Sequence, residues 1–385
     1  MSVTFPRGFR AGGAAVGIKA SGDKDLAIVV ADEVAVAAAV FTRNIATASP
    51  VRLSQTHVAD GQVTAVVLSS GCANAGTGDE GDSNAERMAD AVAEHLKCPS
   101  SEVLVCSTGP IGPQLPIDKI EAGIAELIPE LSASQADGVA AAEAIMTTDT
   151  FSKTSRFEGD GWSIGGMAKA AGMCRPNMAT LLVTITTDVM MDQARAQYAL
   201  ETAVDETFNS LNIDGCTSTN DTAILLASGA SGESPSLEVF LNALNDVCES
   251  LARQVARDGE GTQRVVDVAI EGAPSHGAAR VMGLEITDSD LVRASFYGGD
   301  PNWGRILQAL GQAGVGFDPR VLEVSYAGVA VARQGQQASF DRPALMAKLT
   351  GDFRVEVKVG SGPGKARIIS TDLTPEYVVF NGEPS

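Results

Sequence analysis

Thr180 stands at a junction suited to chemistry. The segment from Lys169 to Ala179 is rich in small residues and runs abruptly into a β-type stretch, Thr180–Thr187. A threonine at the first position of a strand is common, because β-branched side chains suit the pleated surface. It gains a second meaning if the peptide bond between Ala179 and Thr180 breaks. The hydroxyl and a new α-amine then sit on one residue, and an α-amine with a pKa of about 7.7–8.0 is partly neutral at pH 7. Such an amine takes up the hydroxyl proton and turns the oxygen into a nucleophile. Other bases are scarce: the histidines are His57, His95 and His276, with no HExxH pattern and no recognisable nucleophile motif. The six cysteines, Cys72, Cys98, Cys106, Cys174, Cys216 and Cys248, form no CxxC, and their spacing suits neither a zinc site nor a disulfide framework. Free thiols in a reducing cytoplasm and no metal centre are the expectation.

Charge narrows the field further. The chain has 385 residues and a mass of 39.6 kDa, with 28 Lys plus Arg against 48 Asp plus Glu, a formal net charge of −20. A surface this acidic repels phosphates, so neither nucleic acid nor an anionic membrane is an expected partner. With 44% apolar and 20% charged residues the composition is that of a folded protein rather than a disordered one. No apolar run is long enough to span a bilayer, and the N-terminal segment lacks the apolar stretch of a secretory signal. A cytoplasmic location is expected.

The elements that must position Thr180 alternate between β and α. Leu26–Ala31 and Val34–Phe41 read as strands joined by a short acidic turn, and Val63–Ser69 as another. Helical spacing appears at Asn84–Lys97, Ile117–Leu127 and Ser134–Met146, with a short buried strand at Val103–Cys106. Phe151–Phe157 and Trp162–Gly166 form a predicted hairpin around Gly159-Asp160-Gly161, followed by an irregular segment, Met167–Ala179. Beyond the Thr180 strand come long helices near Gln193–Leu211 and Leu237–Arg257, and strands at Thr222–Ala227 and Arg264–Glu271. Residues 272–278 are the best candidate for a domain division. No strand is followed by GxGxxG, which argues against a doubly wound nucleotide-binding fold.

Around Thr180 the sequence resembles the ornithine acetyltransferase (glutamate N-acetyltransferase) family. The resemblance is carried by Gly165-Gly166-Met167-Ala168-Lys169, Gly172-Met173, Pro176 and Met178-Ala179-Thr180-Leu181-Leu182. It continues upstream in Pro6-Arg7-Gly8-Phe9, Ser107-Thr108-Gly109 and Ala144-Ile145-Met146-Thr147-Thr148-Asp149-Thr150. Downstream it includes Ser218-Thr219-Asn220-Asp221-Thr222, Asp258-Gly259-Glu260-Gly261, Asp300-Pro301-Asn302-Trp303-Gly304-Arg305 and Thr371-Asp372-Leu373. Together these cover nearly the whole chain in the family's order. The resemblance implies a mixed α/β fold, a layered α-β-β-α sandwich with a smaller C-terminal α/β part. It implies a precursor that cuts itself into chains 1–179 and 180–385, which stay associated as αβ units in a heterotetramer or larger assembly. The implied reaction moves an acetyl group from N-acetylornithine to glutamate in arginine biosynthesis, through acetyl-Thr180. No cofactor is implied, and the sequence leaves open whether acetyl-CoA is a second donor.

Acyl transfer needs donors for the oxyanion of the tetrahedral intermediate. The Thr108 hydroxyl and Gly109 N–H, on a turn after a short strand, can supply them. Lys169, Thr147 and Glu260 match substrate positions of the family. Lys169 would pair with a substrate carboxylate, Glu260 with the donor's ammonium, and Thr147 would give a neutral hydrogen bond. Asn381 also matches a substrate position. Ser385 is carried over from a tail one residue shorter than expected and lacking a tyrosine. Ala170, Arg175 and Cys72 also depart from the family's usual residues. Asp300–Arg305 reads as a structural corner before a helix. The competing reading is a self-processed amidase or aminopeptidase that uses the same Thr180 and passes the acyl group to water.

Overall fold

The computed structural model describes residues 2–175 and 181–383, in two compact units. The first runs to Asn209 and resumes at Cys216–Val255; the second comprises Ser210–Gly215 and the chain from Ala256 onward. In chain order, the first unit begins with β1 (Phe9–Ala14), β2 (Leu26–Phe41), α1 (Ser49–His57), β3 (Gln62–Ser70), α2 (Gly78–Leu96) and β4 (Val103–Thr108). It continues through α3 (Ile117–Leu127), α4 (Gln135–Ala144), β5 (Lys153–Glu158), β6 (Ser163–Lys169), β7 (Leu182–Thr187) and α5 (Gln193–Glu206). After the short β8 (Leu211–Asn212), which belongs to the second unit, the first unit closes with β9 (Thr222–Ala227) and most of α6 (Leu237–Arg257).

Among the described residues eight strands form one sheet: seven follow the hydrogen-bonded path β4-β3-β2-β9-β7-β6-β5, and β1 pairs with β2 off this path. β2 is one continuous strand where the sequence suggests two. The pairing with β3 shifts register between Val30 and Ala35, and this irregularity accommodates the exposed Asp32, Glu33 and Val34. Such a bulge bends its strand and strengthens the local twist. The path therefore folds into two layers that share a core. Ala27, Val29, Val66, Leu68 and Leu104 from one half meet Ala37, Ala39, Met167, Leu182, Ile224 and Leu226 from the other. The alternate residues face outward, as the twofold period of a strand requires. Ile28, Val30, Ala65 and Val67 pack on Met88 and Val92 of α2 and Ile120 and Ile124 of α3. On the other layer an added Cβ at Gly166 would lie against Val247 and Leu251 of α6, and Trp162 packs on Phe240 of the same helix. The layered α-β-β-α arrangement follows. Since both faces of each layer are covered, the strands read as near-continuous apolar runs.

The second unit adds β10 (Val265–Ala273), α7 (His276–Asp288), α8 (Asp290–Tyr297), α9 (Trp303–Gln312), β11 (Glu323–Tyr326), β12 (Val329–Arg333) and β13 (Gln336–Gln337). α10 (Arg342–Lys348), β14 (Phe353–Lys358), β15 (Gly364–Thr371) and α11 (Pro375–Gly382) complete it. Its seven strands run β13-β12-β11-β14-β10-β15-β8, with β10–β14 and β15–β8 parallel. Val266, Val268 and Ile270 pack on Met282 and Ile286 of α7 and Ile306 and Leu310 of α9. The units divide between Val255 and Ala256, whereas residues 272–278 span the end of β10, the short turn after it and the start of α7, inside the second unit. Turn residues mark that position, but they serve a β–α corner rather than a linker. Among the described residues no helix is long and apolar enough to cross a membrane.

Candidate active site

β4, buried along its whole length, ends at Thr108, where its parallel partner β3 also ends. The Thr108 carbonyl accepts hydrogen bonds from the N–H groups of Gly71 (2.8 Å) and Cys72 (3.1 Å). Gly109 follows at φ +139°, and a Cβ there would stand 2.5 Å from the Cys72 nitrogen. Only glycine fits this approach of two backbones, so the Thr108-Gly109 peptide is held rigidly. Burial pushes the Cys72 thiol upward in pKa, so it remains a neutral thiol in this wall.

Lys169 approaches Thr108 from the other layer. It is the last residue of β6 and is buried, and its Nζ donates to Thr108 Oγ1 at 3.1 Å. The sequence reading placed Lys169 in an irregular segment; the structure puts Met167, Ala168 and Lys169 on a strand. An ammonium has donors and no acceptor, so Thr108 Oγ1 is the acceptor in this bond. The hydroxyl proton is left to point elsewhere, as an oxyanion donor must.

Asp149 ties this centre to Thr147. One carboxylate oxygen of the buried Asp149 accepts from Lys153 Nζ (2.6 Å) and from the Ala170 N–H (3.0 Å), directly after Lys169. The other accepts from the Thr147 N–H at 2.9 Å. Lys153 and Asp149 are fully buried as side chains. Burial works to raise the Asp149 pKa, but the charges of Lys169 and Lys153 and the hydrogen bonds carry it below the ordinary carboxylate range. For Lys169, burial lowers the pKa, against the opposing pull of Asp149.

The strand that follows Thr180 is fixed at its start. The Leu181 N–H donates to Asp221 Oδ1 at 2.9 Å, and the Leu181 carbonyl accepts from the Thr222 N–H at 3.0 Å. From there β7 runs parallel to β9, with Leu182 opposite Thr222. Asp221 is buried, and its Oδ2 has no hydrogen-bond partner among the described residues. Burial pushes this carboxyl well above its ordinary pKa, more than its bond from Leu181 and the charge of Lys169 pull it down.

In the second unit, Asn381 Nδ2 donates to Glu260 Oε2 at 3.0 Å. The loop carrying Glu260 is clasped by α11: Thr374 Oγ1 donates to the Gly261 carbonyl (2.8 Å) while capping the helix at Tyr377. Gly261 has φ +70°, and a Cβ there would lie 2.4 Å from the Tyr377 nitrogen. Asp300–Arg305 is the structural corner the sequence suggests: Asn302 caps α9, and Asp300 pairs with Arg342.

The predicted residues thus fall into two groups. Thr108, Gly109, Lys169 and Thr147 are linked directly or through Asp149, and Glu260 and Asn381 are hydrogen-bonded together. Ala179, Thr180 and Ser385 lie outside the described residues. The sequence reading gave no separate role to Asp149, Lys153, Asn220 or Asp221. The spacing of Asp149 and Lys153 by four residues was the available signal, but only the fold shows that the pair is buried.

Comparison with known proteins places these residues in a lineage. Residues 10–384 match the ArgJ family. The arginine biosynthesis bifunctional protein ArgJ of Thermobifida fusca (strain YX) is 44% identical over 382 residues, covering 99% of each chain. The protein of the same name from Mycobacterium bovis is 43% identical over 386 residues, 98% of this chain and 95% of its own. Among solved structures, the arginine biosynthesis bifunctional protein argJ of Bacillus halodurans aligns with a TM-score of 0.50 and 33% identity, over 52% of this chain and 96% of its own. An ornithine acetyltransferase of Mycobacterium tuberculosis, solved with ornithine, aligns with a TM-score of 0.45 and 44% identity, over 47% of this chain and 96% of its own.

Proposed function

The chain belongs to the ArgJ family and is an acyltransferase of arginine biosynthesis, and from that premise we propose that Thr180 carries the acetyl group from N-acetylornithine to glutamate. Thr180 is first released by self-cleavage. Its Oγ attacks the Ala179 carbonyl carbon, the C–N bond breaks as the nitrogen takes a proton, and water hydrolyses the resulting ester. The products are a carboxylate on Ala179 and a free amine on Thr180. The Bacillus halodurans chain supports this reading, since it is matched almost entirely yet spans about half of this one. That is the length of one product of a cut before Thr180.

In the transfer itself the Thr180 amine accepts the hydroxyl proton as Oγ attacks the acetamide carbonyl. The oxyanion takes hydrogen bonds from the Thr108 hydroxyl and Gly109 N–H. Collapse expels ornithine, which leaves with the proton. The amine of glutamate then attacks acetyl-Thr180, and the acetyl group departs as N-acetylglutamate. The observation that carries this reading is the buried Lys169–Thr108 bond, which leaves the threonine hydroxyl free to donate and sets a positive charge beside it. Lys169 Nζ donates to the Thr108 hydroxyl rather than to a carboxylate. A buried cation so placed favours a ligand with a carboxylate, which both ornithine and glutamate carry. Thr147 offers a neutral hydrogen bond, Glu260 pairs with the substrate ammonium, and Asn381 and Ser385 are further substrate contacts. Acetyl-CoA serves as an alternative donor to the same Thr180. The two chains of the precursor remain together as αβ units that assemble further, in the cytoplasm.

Incubating purified protein with N-acetylornithine, with and without glutamate, separates transfer from hydrolysis. Ornithine release that depends on glutamate, with matching N-acetylglutamate, is expected. Equal release in both reactions would identify an amidase instead.

A further inference from the structure

We propose that the Asn220-Asp221 dipeptide is the positioning element that ties the oxyanion turn to Leu181, the residue that follows the Thr180 nucleophile in the chain; this rests on the reading of Thr180 given above. Each of the two residues grips a different layer of the sandwich. The side-chain amide of Asn220 donates to the Ser107 carbonyl (2.9 Å), on the residue before Thr108, and to the Ala73 carbonyl (2.6 Å). Its orientation is locked, because Thr219 Oγ1 donates to its Oδ1 at 2.6 Å and its own N–H is held by Ser218 Oγ at 3.1 Å. Asp221 turns the other way and receives the Leu181 N–H, while the next residue, Thr222, donates to the Leu181 carbonyl. The Asp221 carbonyl is itself held by the Thr42 N–H at 2.9 Å.

Both sides of Leu181 are therefore anchored by residues 221 and 222, and the oxyanion turn is anchored by residue 220. Successive Cα atoms are about 3.8 Å apart across a trans peptide, so this linkage has little slack. A misplacement of about 1 Å between reacting groups costs on the order of 10²-fold in rate. The same linkage would serve both attacks assigned to Thr180, first on Ala179 and then on the acetyl group. What Asp221 supplies to Leu181 is an oxygen acceptor, its Oδ1 lying 2.9 Å from the Leu181 nitrogen. Asparagine has that acceptor in the same place, and alanine does not.

The test follows the conversion of freshly expressed full-length chain into two fragments for Asp221→Ala, Asn220→Ser and Asp221→Asn. A core variant, Val67→Ala, chosen from the α2/α3 side of the sheet, serves as a control of comparable lost melting temperature. Asp221→Ala and Asn220→Ser should cut at least about tenfold more slowly than wild type. Once cut, they should show a similar fall in kcat with the KM for N-acetylornithine within about threefold. Asp221→Asn should cut within about threefold of wild type, and Val67→Ala at the wild-type rate. If Asp221→Ala does not fold, Asn220→Ser, which shortens one side chain, carries the test. Cutting at Thr180 that is indifferent to residues 220 and 221, or slowed equally in Val67→Ala, would overturn the role of the dipeptide alone. A wild-type chain that is never cut before Thr180 would instead remove the reading beneath it.

Discussion

A hydrogen bond from an ammonium has a single direction, and at Thr108 this decides what the hydroxyl does next. Because Lys169 Nζ donates to Thr108 Oγ1, the two side chains act as one unit. Removing either should therefore cost nearly as much as removing both. Thr108→Val and Lys169→Met should each lower kcat by about 10²-fold, the usual effect of losing one oxyanion donor. The double variant should fall within about threefold of the worse single one. Steady-state kinetics on processed protein checks this. Additive losses, or a Lys169→Met effect confined to the KM for glutamate, would mean that Lys169 only pairs with the substrate carboxylate.

The elements around the site depend on a buried ion pair. Asp149 lies in the connection from α4 to β5, and it fixes the Thr147 and Ala170 amides while paired with Lys153. Asp149→Asn leaves a buried lysine without its countercharge, which costs about 3–5 kcal/mol at neutral pH. The folded-state pKa of Asp149 is lowered, so its contribution is present above the ordinary carboxylate range and is lost as pH falls through the folded value. Denaturant melts should show the gap between wild type and Asp149→Asn shrinking on acidification below about pH 4. A gap that stays constant with pH would contradict the assignment of charge.

Much at this scale was legible in advance. The β5–β6 hairpin, α3 and α6 follow from turn residues and apolar spacing, and the Thr108-Gly109 turn from a buried strand meeting Thr-Gly. The end of β6 was not legible beyond Gly166, because the small residues Gly165, Gly166 and Ala168 lead into a segment that reads as irregular, Met167–Ala179. Their smallness has a packing cause: a Cβ at Gly165 would lie 2.2 Å from the Ser2 carbonyl oxygen. The continuity of β2 was hidden as well, since Asp32 and Glu33 mark a turn in one dimension and a bulge in three. The grip of Asn220 and Asp221 on residues distant in sequence needs the fold to be seen.

At the scale of the whole molecule, the proposed cut and the structural division fall in different places. Cleavage before Thr180 lies within the first unit, not between units. β6 precedes the cut and β7 follows it, yet the two are adjacent antiparallel strands, with Lys169 opposite Leu182. β2 and β9 likewise join the two sides through a ladder from Val36–Ala227 to Phe41–Thr222. The products share one sandwich and one core, so separating them requires unfolding that unit. Native chromatography should give one species containing both fragments, resolved only by denaturant. The most direct measurement is the mass and N-terminal sequence of the polypeptides in purified material that is active in transfer. Two chains are predicted, the second beginning Thr180-Leu181-Leu182-Val183. Full activity in a single unbroken 39.6 kDa polypeptide would contradict the account.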